Sequence, residues 1–73
     1  MVNLELLNGK IYTSGIKKHE LADQLGFSMT TLRRKLQGEI EFKISEVVIL
    51  CTVLKLTNSE REAIFLTHKL RNY

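Results

Sequence analysis

Between Leu25 and Met29 the chain has only Gly26, Phe27 and Ser28 in which to leave one helical pattern and begin another. Each of the three has a steric task. Gly26 can take the positive φ of a left-handed helix exit. Phe27 carries an apolar ring that so tight a turn directs into a core, and Ser28 can cap the next helix by accepting a hydrogen bond from the N–H of Thr30 or Thr31. Before the turn, Leu21, Ala22 and Leu25 share one face of a helix predicted over about 17–25. After it, Leu32 and Leu36 do the same for a helix over about 29–37, which Gly38 stops. The small Ala22 lets the two axes approach at a steep angle, with Leu21, Leu25 and Leu32 as a shared wedge. A helix, a three-residue turn and a helix is a packing unit of many proteins, so the remaining residues must decide what this one does.

The same periodicity organises the rest of the chain. Leu4, Leu7 and Ile11 predict a first helix over about 3–13, in which Gly9 costs roughly 1 kcal/mol relative to Ala and which Thr13, Ser14 and Gly15 end. Residues 39–43 read as a loop in which Ile40 or Phe42 plugs the core. Ile44, Val47, Leu50, Cys51 and Leu54 form an apolar face over about 44–55, and Leu56 closes the turn after it. Ser59 and Glu62 match a capping box, Ser at the N-cap and Glu at N3, and place the start of a fifth helix that runs to about residue 70. Nothing reads as a strand, and no repeat, linker or proline divides the chain. The expectation is a single all-α domain over 1–73, a compact bundle of five short helices.

At 73 residues such a domain buries only about 60% of its unfolded surface, so its stability has to come from efficient packing or from a partner subunit. A covalent staple is excluded, because Cys51 is the only cysteine. With His19 and His68 it makes no recognisable zinc spacing, and no metal or other cofactor is expected. Cys51 lies on the apolar face of the fourth helix and reads as an inert buried thiol, consistent with a reducing compartment. The opening residues lack the pattern of a signal peptide and no apolar run is long enough to span a membrane, so a cytoplasmic protein with no membrane partner is expected. Catalysis finds no support. There is no carboxylate pair and no nucleophile with a base, and the glycines at 9, 15, 26 and 38 are too dispersed to cradle a phosphate.

The net charge of +3 is small, but its distribution is informative. Segment 15–38 holds Lys17, Lys18, Arg33, Arg34 and Lys35 against Glu20 and Asp23, and the rest of the chain is neutral. By itself, the run Arg33-Arg34-Lys35 reads as a solvated helix face. Placed one helix after the Gly26 turn it reads as a surface for nucleic acid. From Leu7 and Lys10 through Lys18-His19-Glu20-Leu21-Ala22 and Gly26-Phe27-Ser28-Met29-Thr30-Thr31-Leu32 to Gly38, Ser45-Glu46 and Leu54-Lys55-Leu56, the sequence resembles the phage-repressor-like helix-turn-helix family. That family includes lambda-type repressors and Cro proteins. Two departures from its pattern stand out. Lys35 stands where the motif usually has an apolar residue, so Leu36 takes over that packing, and an Arg–Glu pair common between the first and third helices is matched by Ile11 and Leu36.

The resemblance implies that the third helix lies in the DNA major groove. Its base-facing positions match Met29, Thr30 and Arg34. Arg34 is the candidate for two hydrogen bonds to O6 and N7 of guanine, Thr30 for a base or phosphate contact, and Met29 for packing on a thymine methyl group. Lys17, Lys18, Ser28, Thr31, Arg33 and Lys43 are the candidates for the DNA backbone, although Glu39 and Glu41 weaken any clamp at Lys43. Apolar residues in excess of the core point to a partner. Val48 and Ile49 fall outside the main face of the fourth helix, and Ile64, Leu66, Leu70 and Tyr73 cover more than one side of the last. Either a broad core absorbs them, or Val48, Ile49, Leu66 and Leu70 form a homodimer interface. Two reading heads about 34 Å apart would then match a near-palindromic operator. The expected function is a sequence-specific regulator that occludes a promoter, with no small-molecule effector because there is no room for an effector domain. The alternative is a helix-turn-helix module that binds a protein through its apolar patch.

Overall fold

Asn3 begins the first helix by accepting the N–H of Leu6 on its side-chain oxygen at 3.1 Å, while its own N–H donates to the carbonyl of Ile64 at 2.6 Å. The start of the first helix is thereby tied to the end of the fifth. The computed structural model describes residues 2–65, and among them there are five helices and no strand. They are α1 (Leu4–Ser14), α2 (Lys18–Leu25), α3 (Met29–Leu36), α4 (Ile44–Val53) and α5 (Asn58–Ile64). α2 packs on α3 and α4, and α1 packs on α5.

The joint between α2 and α3 forms for the reasons its residues suggest. Gly26 leaves α2 at φ 79°, and the following amide, Phe27 N–H, folds back to donate to the carbonyl of Ala22 at 2.9 Å. Ser28 Oγ accepts the N–H of Thr31 at 3.1 Å and so caps α3. Leu7, Leu21, Leu32, Leu50 and Phe65 are the largest fully buried side chains, each contributing roughly 1.5–3 kcal/mol of apolar burial. Ile11, Ala22, Leu25, Leu36, Val47, Leu54 and Ile64 complete the core.

Several expectations need correction. The α5 start is set by Thr57, not Ser59. Thr57 Oγ1 accepts the N–H of Glu60 at 3.1 Å and Glu60 Oε1 accepts the N–H of Thr57 at 2.9 Å. The segment contains two overlapping Ser/Thr-x-x-Glu patterns, and the first is favoured because Glu60 also pairs with Lys10 of α1 at 2.8 Å. That pair and the Thr57 amide hold the Glu60 carboxyl below its ordinary pKa. The predicted extension of this helix to residue 70 lies outside the described residues. Ile64, counted as surplus, is core at 3% exposure.

Ile44 was expected on the buried face of α4 but is 68% exposed. It is the first helical residue and overhangs the core, so the buried stripe begins with Glu46 and Val47. The α4 helix ends at Val53, where Lys55 turns out of it at φ 53° and Leu56 N–H closes onto the carbonyl of Cys51 at 3.0 Å. Of the two candidate core plugs in the 39–43 loop, Phe42 is partly buried against the core and Ile40 is exposed. Phe27 is likewise packed at the edge of the core and not inside it.

The cap assignment gives a direct expectation. Thr57→Ala should cost about 1 kcal/mol of unfolding free energy, whereas Ser59→Ala, at an exposed position inside the helix, should stay within about 0.5 kcal/mol. Urea denaturation of the two variants distinguishes the registers, and the reverse order would restore Ser59 as the cap.

Candidate nucleic-acid interface

The α3 helix has two distinct faces. Leu32, Lys35 and Leu36 are buried, while Met29, Thr30, Arg33 and Arg34 are exposed. Gln37, the residue that ends the helix, is also exposed and continues the same face one turn beyond Arg33 and Arg34. The structure therefore brings Met29, Thr30, Arg33 and Arg34 together on one surface. Gln37 was not among the sequence candidates, although its spacing of three from Arg34 and four from Arg33 was a usable signal.

At the start of this face the hydroxyls of Ser28 and Thr31 are already engaged with each other. Ser28 Oγ donates to Thr31 Oγ1 at 3.1 Å while accepting the Thr31 amide. Ser28 is exposed and Thr31 half-buried, so their first role is to shape the helix entrance. Lys17 and Lys18 stand exposed at the start of α2, with no side-chain cap there. Lys43 occupies the corresponding place before α4. Its N–H donates to Glu46 Oε1 at 2.8 Å, and its side chain is exposed.

Lys35 does not belong to the exposed basic run. It is 5% exposed, and its Nζ donates to Glu46 Oε1 at 2.7 Å and to the carbonyl of Glu41 at 3.4 Å. The ammonium also lies 4.6 Å from the centroid of the Phe27 ring and 5.7 Å from that of Phe42, distances at which aromatic faces attract a cation. The side chain follows Leu32 at a spacing of three, and this brings it to the buried face of α3. Burial alone would raise the Glu46 pKa. The bonds from the Lys35 ammonium and the Lys43 amide, with the charges of both lysines, outweigh it and hold the carboxyl below its ordinary value of 4.5.

The exposed positive charge is accordingly thinner than the sequence suggests. Arg34 Nε lies 3.3 Å from Glu39 Oε1, whereas Arg33 makes no ion pair among the described residues. Lys17, Lys18 and Arg33 carry the excess, against Glu20 and Asp23, which are exposed on α2.

The candidate interface residues divide. Val48 is 59% exposed, but Ile49 is partly buried against the core, and Leu66 and Leu70 lie outside the described residues, as do His68 and Tyr73. The apolar surface that does exist was partly missed. Ile44 precedes Val48 by one helical turn and Ile40 is exposed in the preceding loop, so the outer stripe of α4 runs through Ile44 and Val48. Cys51 is partly buried against the core, and that burial raises its pKa despite the opposing charge of Arg61. His19 is exposed. Among the described residues no group of three or more His, Cys, Asp or Glu side chains is gathered as a metal site would require, and no helix is long and apolar enough to cross a membrane.

Comparison with protein-family models, with curated proteins and with solved structures gave no match to this chain.

Proposed function

We propose that this chain is a sequence-specific, double-stranded DNA-binding regulator of transcription of the phage repressor or Cro kind, acting in the cytoplasm without catalysis. The observation that carries the reading is the outer face of α3, where Met29, Thr30, Arg33 and Arg34 stand exposed on a short helix whose opposite face is anchored in the core. On this reading α2 and α3 are a helix-turn-helix pair, and α3 enters the major groove. Arg34 contacts guanine, Thr30 and Met29 meet neighbouring bases, and Gln37 extends the reading surface. Lys17, Lys18, Arg33 and Lys43 contact phosphates and fix the register. Covering a promoter excludes polymerase, the simplest repression mechanism open to a domain of this size.

A twofold partner completes the proposal. Ile44 and Val48 form an exposed apolar stripe that a second copy of the chain would cover, supplying a second reading head. The same stripe favours the alternative, a module that binds another protein. Salt separates the two. A dimer placing four cations per subunit on phosphates should lose about 10³–10⁵ in affinity for its duplex between 50 and 200 mM salt. A complex held by apolar burial should change little over that range. Fluorescence anisotropy with a labelled duplex measures the slope, and a flat response would reject the phosphate contacts.

A further inference from the structure

We infer that Glu39 is a positioning residue for Arg34, biasing the side chain that reads one base pair toward its binding orientation; the inference rests on the DNA-binding proposal above. It begins with the exit from α3. Gly38 turns out of the helix at φ 87°, a backbone conformation that favours glycine. This exit folds the chain back until the Glu39 N–H donates to the carbonyl of Arg34 at 2.9 Å. The backbone of Glu39 is thus fastened to the residue whose side chain it engages. From that anchor Glu39 Oε1 lies 3.3 Å from Arg34 Nε.

The contacted nitrogen is the inner one of the guanidinium. A carboxylate on the Nε side leaves the two terminal Nη groups for the O6 and N7 of guanine, and the charge of the ion pair biases the guanidinium toward that orientation. Stability gives little reason for the pair. The two side chains are 58% and 54% exposed, and ion pairs so exposed contribute little to folding. Its effect lies in the free protein before binding, by restricting a rotamer-rich side chain that must be ordered on the base.

Glu39 has an opposing effect as well. Its negative charge at the rim repels phosphate on every sequence, so removing it should raise affinity generally. Total affinity therefore cannot reveal the positioning role; a ratio between sequences can.

The test uses the full chain and the duplex it enriches from a random pool. The base pair assigned to Arg34 is the one at which Arg34→Ala loses preference. Affinities are then measured for that duplex and for one with this G·C pair replaced by A·T. Glu39→Ala should lower the discrimination ratio by about three- to tenfold at that pair and leave other positions unchanged, with the melting temperature preserved. Glu39→Gln, which keeps the length of the side chain but removes the charge of the ion pair, should lower the ratio as well. An unchanged ratio in Glu39→Ala, including one accompanied by a uniform rise in affinity, would overturn the positioning role while leaving the DNA reading intact. A full ratio in Glu39→Gln would contradict the role of the ion pair's charge. If the unaltered chain enriches no sequence, or if Arg34→Ala changes no preference, the underlying reading fails and this inference falls with it.

Discussion

Glu46→Ala is expected to destabilise the fold by about 3–5 kcal/mol, because it leaves the Lys35 ammonium buried without its counter-charge. The remaining partners are the carbonyl of Glu41 at 3.4 Å and the faces of Phe27 and Phe42, too little to replace a carboxylate at 2.7 Å. The substitution also removes the acceptor of the Lys43 amide at the start of α4. A chain of 73 residues has a total stability of about 4–11 kcal/mol, so the loss is a large share of the whole and would unfold the chain at the lower end of that range. Breaking the pair and replacing it are different experiments. Lys35→Met combined with Glu46→Leu should recover most of the loss, since apolar residues of similar volume often match or exceed a buried ion pair. Urea unfolding of the single and double variants gives the coupling directly, and a single variant within 1 kcal/mol of the parent would refute the buried-charge account.

The same pair makes stability depend on acid. The folded-state pKa of Glu46 lies below its ordinary value of 4.5, so its contribution is fully present above that value and is lost as pH falls through the lower folded one. Glu60 is displaced in the same direction by Lys10 and Thr57. The difference between the parent chain and Glu46→Gln isolates the share due to Glu46, and it should shrink as the pH is taken from about 5 to about 3.

Arg34→Ala should cost about 1–3 kcal/mol at a single base pair of each half-site, a loss of about 5- to 150-fold in preference there and little elsewhere. Arg33→Ala should behave differently. A phosphate contact carries no sequence information, so its removal weakens binding on all duplexes and lowers the salt slope by about one for each head. The two arginines are adjacent in the chain and both exposed on α3, which makes them a controlled comparison. Identical behaviour of the two variants would show that α3 contributes charge alone.

Much of this organisation was legible because it is local. The residues that turn α2 into α3 act within one or two helical turns, and Gly26, Ser28 and the leucine wedge were readable from spacing and cap chemistry. Lys35 was not. Three consecutive basic residues look like one patch, and only the spacing from Leu32 hinted that the third faces inward. Its partner is eleven positions away, across a loop whose path the sequence does not fix. The α5 register failed for a related reason. Thr57 with Glu60 and Ser59 with Glu62 are equivalent patterns locally, and the choice depends on Lys10 in a distant helix. Ile44 shows the limit of periodicity, which marks the angle of a side chain around a helix but not whether the core extends as far as its first turn. At the candidate site, the exposed positions of α3 were readable from the helical repeat, whereas the Arg34–Glu39 pair depends on how Gly38 redirects the chain.

Selection of bound duplexes from a random DNA pool at about 0.15 M salt, where the Debye length is about 8 Å and weak nonspecific attraction is suppressed, tests the central claim most directly. The account predicts enrichment of an inverted repeat whose half-site centres lie about 34 Å, one turn of the double helix, apart. A pool that emerges without any preferred sequence would contradict it, leaving the exposed face of α3 as ordinary solvated surface and the Ile44–Val48 stripe as a site for a protein partner.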